Sequence, residues 1–172
     1  MAEFALYFAY GSNMLSRRLR VSERAPSAEL VGTAQLRGYR IAFDKRGQDG
    51  SGKCHVQDCA ALQTSVYGVL YRIDAQDWRT LDRAEGRGEG YERIEMSVEI
   101  AGRALSCMSY QATDIQTGLK PFHWYKQLVL AGAEERGLPA EYMSALRAFE
   151  SIEDADVERR RLHAAILQSA RP

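Results

Sequence analysis

The sequence predicts an α+β fold in which strands come first and helices close the chain. Two observations carry this. From Arg93 to Ile100 the chain alternates strictly, with Ile94, Met96, Val98 and Ile100 on one face and Arg93, Glu95, Ser97 and Glu99 on the other. That period of two marks a strand with one wet face, the habit of antiparallel sheet. Beyond residue 120 the period changes, and Trp124, Tyr125, Leu128 and Val129 recur at helical spacing.

The elements follow in order. Phe4 to Tyr10 is a short apolar and aromatic run that reads as a buried strand, broken by Gly11-Ser12-Asn13. Ser12 or Asn13 is placed to cap a short helix through Leu19. Tyr39, Ile41 and Phe43 alternate with Arg40 and Ala42, the pattern of a half-buried strand. Residues 44–58 are rich in Gly, Asp, Lys and Ser and read as an exposed loop. Val66 to Ile73 is a second apolar strand, with Gly68 marking a close backbone approach. Asp74 reads as an N-cap, with Asp77 in the first turn, for a helix carrying Trp78 and Leu81. Gly86, Gly88 and Gly90 end that helix. After the alternating strand, Ala101-Gly102-Arg103 turns the chain into a partner strand from Ala104 to Ala112.

Pro121 suits the first turn of a helix, Gly137 its C′ position, and Pro139 the opening of the next, with Tyr142, Leu146 and Phe149 in line. Residues 153–172 read as a charged C-terminal tail or helix. No internal repeat or linker interrupts the chain, so residues 1–172 are expected to form a single domain.

At 172 residues a domain can build a core without disulfides or metals. Lys plus Arg and Asp plus Glu both number 23, so no global field attracts nucleic acid or an anionic membrane. Neither is an expected partner. The start at Met1-Ala2-Glu3-Phe4 has no basic region leading into an apolar core, which argues against a secretory leader. Three cysteines, an odd number, do not suggest a disulfide framework and point to a reducing cytoplasm. The expected partner is a small molecule, and the protein is expected as a monomer or homodimer, since an exposed Trp/Tyr helix face would allow pairing.

Three places could carry chemistry. Tyr10-Gly11-Ser12-Asn13, between a strand and a helix start, presents several backbone N–H groups at one point, which suits a carboxylate or a developing oxyanion. Gly11 permits close approach of a ligand. From spacing alone, an ordinary strand-to-helix turn is the favoured reading. Glu85 sits at the end of a helix, where a carboxylate gains nothing from the helix dipole; most such residues are solvated surface groups. Cys54, His55 and Cys59 offer three metal-ligand types in one segment, but nothing completes a tetrahedron, so no metal is expected. Cys107, in a strand, reads as a small core residue, and His123 and His163 as packing or surface residues on helices.

Three segments together resemble the γ-glutamylcyclotransferase family: Tyr7-Phe8-Ala9-Tyr10-Gly11-Ser12-Asn13-Met14, then Leu81-Asp82-Arg83-Ala84-Glu85-Gly86 with Gly90-Tyr91, then Tyr125 with Gly132-Ala133, Gly137-Leu138-Pro139 and Tyr142. Val66-Tyr67-Gly68-Val69-Leu70-Tyr71 also fits. The matches run in order over most of the chain and favour the cytosolic γ-glutamyl amino acid branch. The resemblance implies a compact, barrel-like, mostly antiparallel sheet with flanking helices, and no cofactor. It implies a reaction in which a γ-glutamyl amine or amino acid cyclises to 5-oxoproline and releases its amine. It implies Glu85 as the catalytic acid/base, with Tyr7, Tyr10, Gly11, Ser12, Asn13 and Tyr125 binding substrate; Tyr91 and Tyr110 are further candidates for the lining. Rival readings are a non-catalytic small-molecule-binding protein on the same fold and a hydrolase using Cys54 or Cys59.

Overall fold

The computed structural model describes residues 4–59 and 63–169. Residues 1–3, on which the leader was judged, and the last three of the tail lie outside the described residues.

Five strands close into a barrel in the order β1 (Phe4–Ala9), β5 (Ser65–Asp74), β2 (Glu29–Arg37), β6 (Tyr91–Ile100) and β7 (Arg103–Ala112). All neighbours are antiparallel except β1 and β7, which meet in parallel at Tyr7 and Met108. Closure leaves no barrel edge open to a foreign strand. β6 and β7 form the longest hairpin, in register from Tyr91–Ala112 to Ile100–Arg103. Its two-residue turn places Ala101 at φ 48° and Gly102 at φ 76°, the left-handed geometry that matches strand twist.

β3 (Tyr39–Arg46) and β4 (Gly52–Asp58) form a separate antiparallel ribbon. This corrects the reading of 44–58 as an exposed loop: Cys54, His55 and Val56 are almost wholly buried. Composition misled there, because the Gly, Asp and Lys residues fill a short turn and its approaches while the strand's inward side chains are buried by the rest of the fold. β2 had no clear sequence signal either. A register shift between Leu30 and Gly32 breaks its alternation, and its first half is exposed.

β5 is buried along nearly its whole length. Phe8 and Leu70 face each other in register, and Tyr142 of α4 (Ala140–Ala148) meets Tyr67 edge-on, with ring centroids 5.3 Å apart. Gly68 is required there: a Cβ would lie 2.4 Å from the Ala9 carbonyl oxygen and 2.7 Å from the Phe8 ring.

The segment after β1 is not one capped helix. It comprises a 3₁₀ turn, Ser12–Met14, and a short α1, Ser16–Leu19, separated by Leu15 in an extended conformation. Neither Ser12 nor Asn13 caps it; both side chains are engaged in the cleft described below. Asp74 likewise makes no side-chain cap. A 3₁₀ turn, Ala75–Asp77, leads into α2 (Trp78–Glu85), and Asp77 accepts from the Ser27 backbone N–H and hydroxyl. α2 ends on Gly86 at φ 69°, with the Gly86 and Arg87 N–H groups closing back on Arg83 and Asp82.

α3 (His123–Glu135) starts two residues beyond Pro121. It ends through Gly137 at φ 62°, whose N–H and that of Leu138 bond the Glu134 and Ala133 carbonyls. Trp124 and Tyr125 are buried, so the exposed Trp/Tyr face expected for pairing is absent. Two contacts cover them. Phe43 meets Tyr125 edge-on, and His163 of α5 (Val157–Gln168) stacks on Trp124 at 3.7 Å. Asp154 accepts from Trp124 Nε1 at 2.8 Å and from Arg159 through both carboxylate oxygens at 2.6 Å, tying α5 to α3.

Gly132 lets α3 touch the turn after β1. A Cβ there would lie 2.5 Å from the Leu15 N atom and 2.8 Å from Met14. Because the obstacle is backbone, Gly132→Ala should destabilise the fold by about 1–3 kcal/mol, read as a lower urea midpoint at unchanged m-value.

Burial first, and then the Arg18 and Lys53 charges, lower the His163 pKa from 6.5 to about 4. The unfolded chain therefore binds a proton that the folded one refuses between those values, and stability should fall as pH drops from about 6.5 toward about 4. Urea midpoints across that range should show a shallower fall in His163→Phe, which keeps the stack and cannot titrate.

Candidate active site

A cleft of about 460 Å³ opens where the 3₁₀ turn after β1, the C-terminal end of α2, the β3–β4 ribbon and α3 converge. At its base a small inner pocket of about 30 Å³ continues between Tyr7, Tyr10, Gly11, Ser12, Asn13, Glu85 and Tyr125. Every site residue named from the sequence borders that inner pocket. Tyr91 and Tyr110 border it too, joined by Cys54 and Ser109.

Glu85 is the last residue of α2, so its side chain leaves the helix beside carbonyl groups that repel it. Two donors compensate. Asn13 Nδ2 donates to Glu85 Oε1 at 2.9 Å, and Arg24 Nη1 donates to the same oxygen at 2.6 Å. Arg24 Nη1 also reaches Asn13 Oδ1 at 2.9 Å, closing a three-residue ring. Both carboxylate bonds fall on Oε1, so Oε2 is engaged by neither donor. The helix itself is pinned by Asp82, which accepts from Tyr110 Oη at 2.7 Å and pairs with Arg87 and Arg93 at 3.0 and 3.2 Å.

The pocket walls are phenols. Tyr7 and Tyr110 pack edge-on at 5.9 Å, and Tyr110 packs against Tyr91 at 6.5 Å. Tyr10 Oη donates to the Tyr110 carbonyl at 2.5 Å. Asn13 Nδ2 donates to Tyr7 Oη at 3.0 Å. Burial above all raises the pKa of Tyr7, Tyr10, Tyr91, Tyr110 and Tyr125 far past the usual phenol range, so all five stay protonated. They are neutral walls and donors, and Glu85 is the carboxylate in their midst.

Cys54 lies at the back. Its N–H donates to Tyr125 Oη at 3.1 Å, and its carbonyl accepts from Tyr91 Oη at 2.5 Å. A Cβ on Gly11 would meet the Cys54 Cβ at 3.1 Å and the Tyr125 hydroxyl at 3.4 Å, so Gly11 keeps room at the pocket wall. Burial pushes the Cys54 thiol up to about 12, which keeps it from being a thiolate nucleophile. The adjacent His55 points to the other face of the strand, where its Nδ1 lies 2.5 Å from Asp44. The cysteine-hydrolase reading loses Cys54 as its nucleophile and His55 as the base beside it.

Sequence reasoning missed the cations. The outer cleft is bordered by Arg18, Arg24, Lys45, Lys53, Arg83 and Arg159 against three carboxylates, Asp49, Glu85 and Glu89. Arg18 Nε donates to Ser12 Oγ at 3.0 Å, and burial first, then Arg24, lower its pKa to about 10. Net charge gave no warning of this patch. Placing the 44–58 segment on the surface hid Lys45 and Lys53.

A closed, mostly antiparallel barrel with an anchored carboxylate beside a tyrosine-walled pocket is the frame of a small-molecule enzyme. The comparisons with known proteins identify its kind. Residues 65–146 match the AIG2-like family. The chain is 35% identical to γ-glutamylcyclotransferase of Mus musculus over 88% of its length and 81% of the relative's. To the Bos taurus protein of the same name it is 33% identical, over 86% and 80%. A solved γ-glutamyl cyclotransferase superposes with a TM-score of 0.83 at 29% identity, covering 95% of this chain and 99% of the other. The chain belongs to the γ-glutamylcyclotransferase family.

Tyr125→Phe removes the acceptor of a buried backbone N–H. It should destabilise the protein by about 1–3 kcal/mol and speed amide exchange at Cys54, read by denaturant titration and hydrogen exchange.

Proposed function

We propose that the protein cyclises a γ-glutamyl amine or amino acid to 5-oxoproline, with Glu85 as the general acid and base and without a cofactor. The observation that carries this reading is the Glu85 carboxylate, fixed at one oxygen by Asn13 and Arg24 beside a pocket lined by five protonated phenols.

The substrate contains its own nucleophile, the α-amine, and its own electrophile, the γ-carbonyl. Held folded, the two react with an effective molarity on the order of 10⁵ M or more. Glu85 Oε2 takes a proton as the amine attacks; the C–N bond of the lactam forms. The same carboxyl returns the proton to the departing nitrogen as its bond to the γ-carbon breaks. One group suffices because the two transfers are sequential.

Surroundings supply the rest. The cationic lining disfavours the substrate's ammonium relative to its neutral amine and thus assists deprotonation. The Ser12 and Asn13 N–H groups at the start of the 3₁₀ turn have no partner within that turn. In this reading they hold the substrate's α-carboxylate or the γ-carbonyl oxygen as it becomes anionic, and the support is Arg18, anchored to Ser12 beside them. Tyr7, Tyr10 and Tyr125 keep the ring closure out of bulk water.

The cleft is built within one chain, so a monomer or a homodimer can act, and residues 1–172 are read as one catalytic domain. Among the described residues no helix is long and apolar enough to cross a membrane. The buried free thiols of Cys54 and Cys107 fit a reducing cytoplasm.

Glu85→Gln keeps the shape and loses the proton transfer. It should lower 5-oxoproline release from γ-glutamyl-alanine by about 10²–10⁴-fold while the circular dichroism spectrum stays native. Undiminished turnover would remove Glu85 from the mechanism; no release by the folded wild type from any γ-glutamyl compound would favour a binding protein.

A further inference from the structure

Lys45 and Lys53 face each other directly across the β3–β4 ribbon. Like charges in that position destabilise a sheet, and here the cost is heightened by burial: Lys45 is 6% exposed and the Lys53 side chain 16%. Lys53 is compensated by Asp49 at 2.7 Å and by the faces of Trp124 and Tyr125 at 5.0 and 4.9 Å. Lys45 has no such carboxylate. Among the described residues its ammonium stands over the Tyr91 ring at 4.6 Å, with no acid in ion-pair distance. Its stem packs against Gly90, where a Cβ would lie 2.8 Å from Lys45 Cε. Gly90 is therefore the residue that lets Lys45 reach the cleft beside the segment following Glu85. Glu85, Asp114 and Asp49 act on this ammonium only from beyond ion-pair distance, and its burial is a cost that an incoming anion in direct contact relieves.

We propose that Lys45, supported by Lys53, reads an acidic side chain on the leaving amine, so that the protein releases glutamate or aspartate in preference to neutral amino acids. This rests on the cyclisation proposed above and refines its substrate. Glu85 and Ser12 border the inner pocket and the outer cleft alike, so the γ-carbonyl is read at that junction, beside Glu85. The departing group must then lie in the outer cleft with the lysines. A γ-glutamyl derivative of a neutral amino acid brings two carboxylates to the site. An acidic amino acid brings a third; in the lining Arg159 is already held by Asp154, Arg24 by Glu85 and Lys53 by Asp49, whereas Lys45 has no carboxylate in ion-pair distance and can meet it.

The test compares γ-glutamyl-glutamate with γ-glutamyl-glutamine, which differ in charge at nearly constant shape. The ratio of their kcat/KM values is measured for the wild type, Lys45→Met and Lys45→Arg, at low and high salt. The wild type should favour γ-glutamyl-glutamate by about tenfold or more, mainly through KM, as expected for a hydrogen bond between charged groups. Salt should shrink that ratio. Lys45→Met should bring it near one, and Lys45→Arg should retain most of it. Wild type that handles the two alike, or prefers the glutamine compound, overturns the specificity and leaves cyclisation intact. A preference that survives in Lys45→Met overturns the role of Lys45. Release of 5-oxoproline from neither compound, nor from γ-glutamyl-alanine, overturns the cyclisation reading and this one with it. Should Lys45→Met fail to fold, the wild-type ratio and its salt dependence decide the matter.

Discussion

Glu85 ends α2 with its carboxylate against the sense of the helix dipole, and the ring it makes with Arg24 and Asn13 is what holds it there. The ring joins three segments distant in sequence: the turn after β1, the segment leading to β2, and α2. Arg24 is the member that balances charge. With the pair only 15% and 18% exposed, removing either partner would strand the other in a poorly solvated place. The barrel supplies the fixed points for this ring. β1 sets Tyr7 and the turn, β7 sets Tyr110, and Tyr110 grips Asp82 one helical turn before Glu85. Gly86 then lets the chain leave α2 in a left-handed conformation instead of continuing the helix through the cleft.

The two compartments of the cleft differ in size and in the chemistry of their walls. The inner pocket is small and walled by protonated phenols, so its dipoles are fixed and little water competes with them. The outer cleft is open and cationic. Between them stand Ser12, Glu85, Tyr91 and Tyr125, which border both. Tyr91 and Tyr125 also satisfy the Cys54 carbonyl and N–H, which β3 does not reach on that side of β4. Side-chain hydroxyls thus attach the ribbon to the barrel and place Lys45 and Lys53 at the mouth.

Much of the frame was legible because its signals are local. The alternation of Arg93–Ile100, the turn at Ala101-Gly102, the apolar run of β5 and the Gly137-Pro139 boundary each follow from near neighbours in sequence, and all appear in the structure. β2 and β4 were less legible for a physical reason. The register shift after Leu30 destroys the period of two, and β4 carries Lys53 and His55 inward, where only tertiary partners make them tolerable. Trp124 looked available for pairing until α5 was seen to stack His163 upon it.

The sequence by itself determined the class of fold, the family resemblance and the short motifs around Gly11 and Glu85, since backbone preference and side-chain order are properties of contiguous residues. It could not reveal Arg24 as the counter-ion of Glu85, 61 residues away, nor a basic cleft in a chain whose charges sum to zero. Those were decided only by the tertiary structure, because Coulomb interactions and desolvation depend on distance in space and on what excludes water, and chain folding alone sets both.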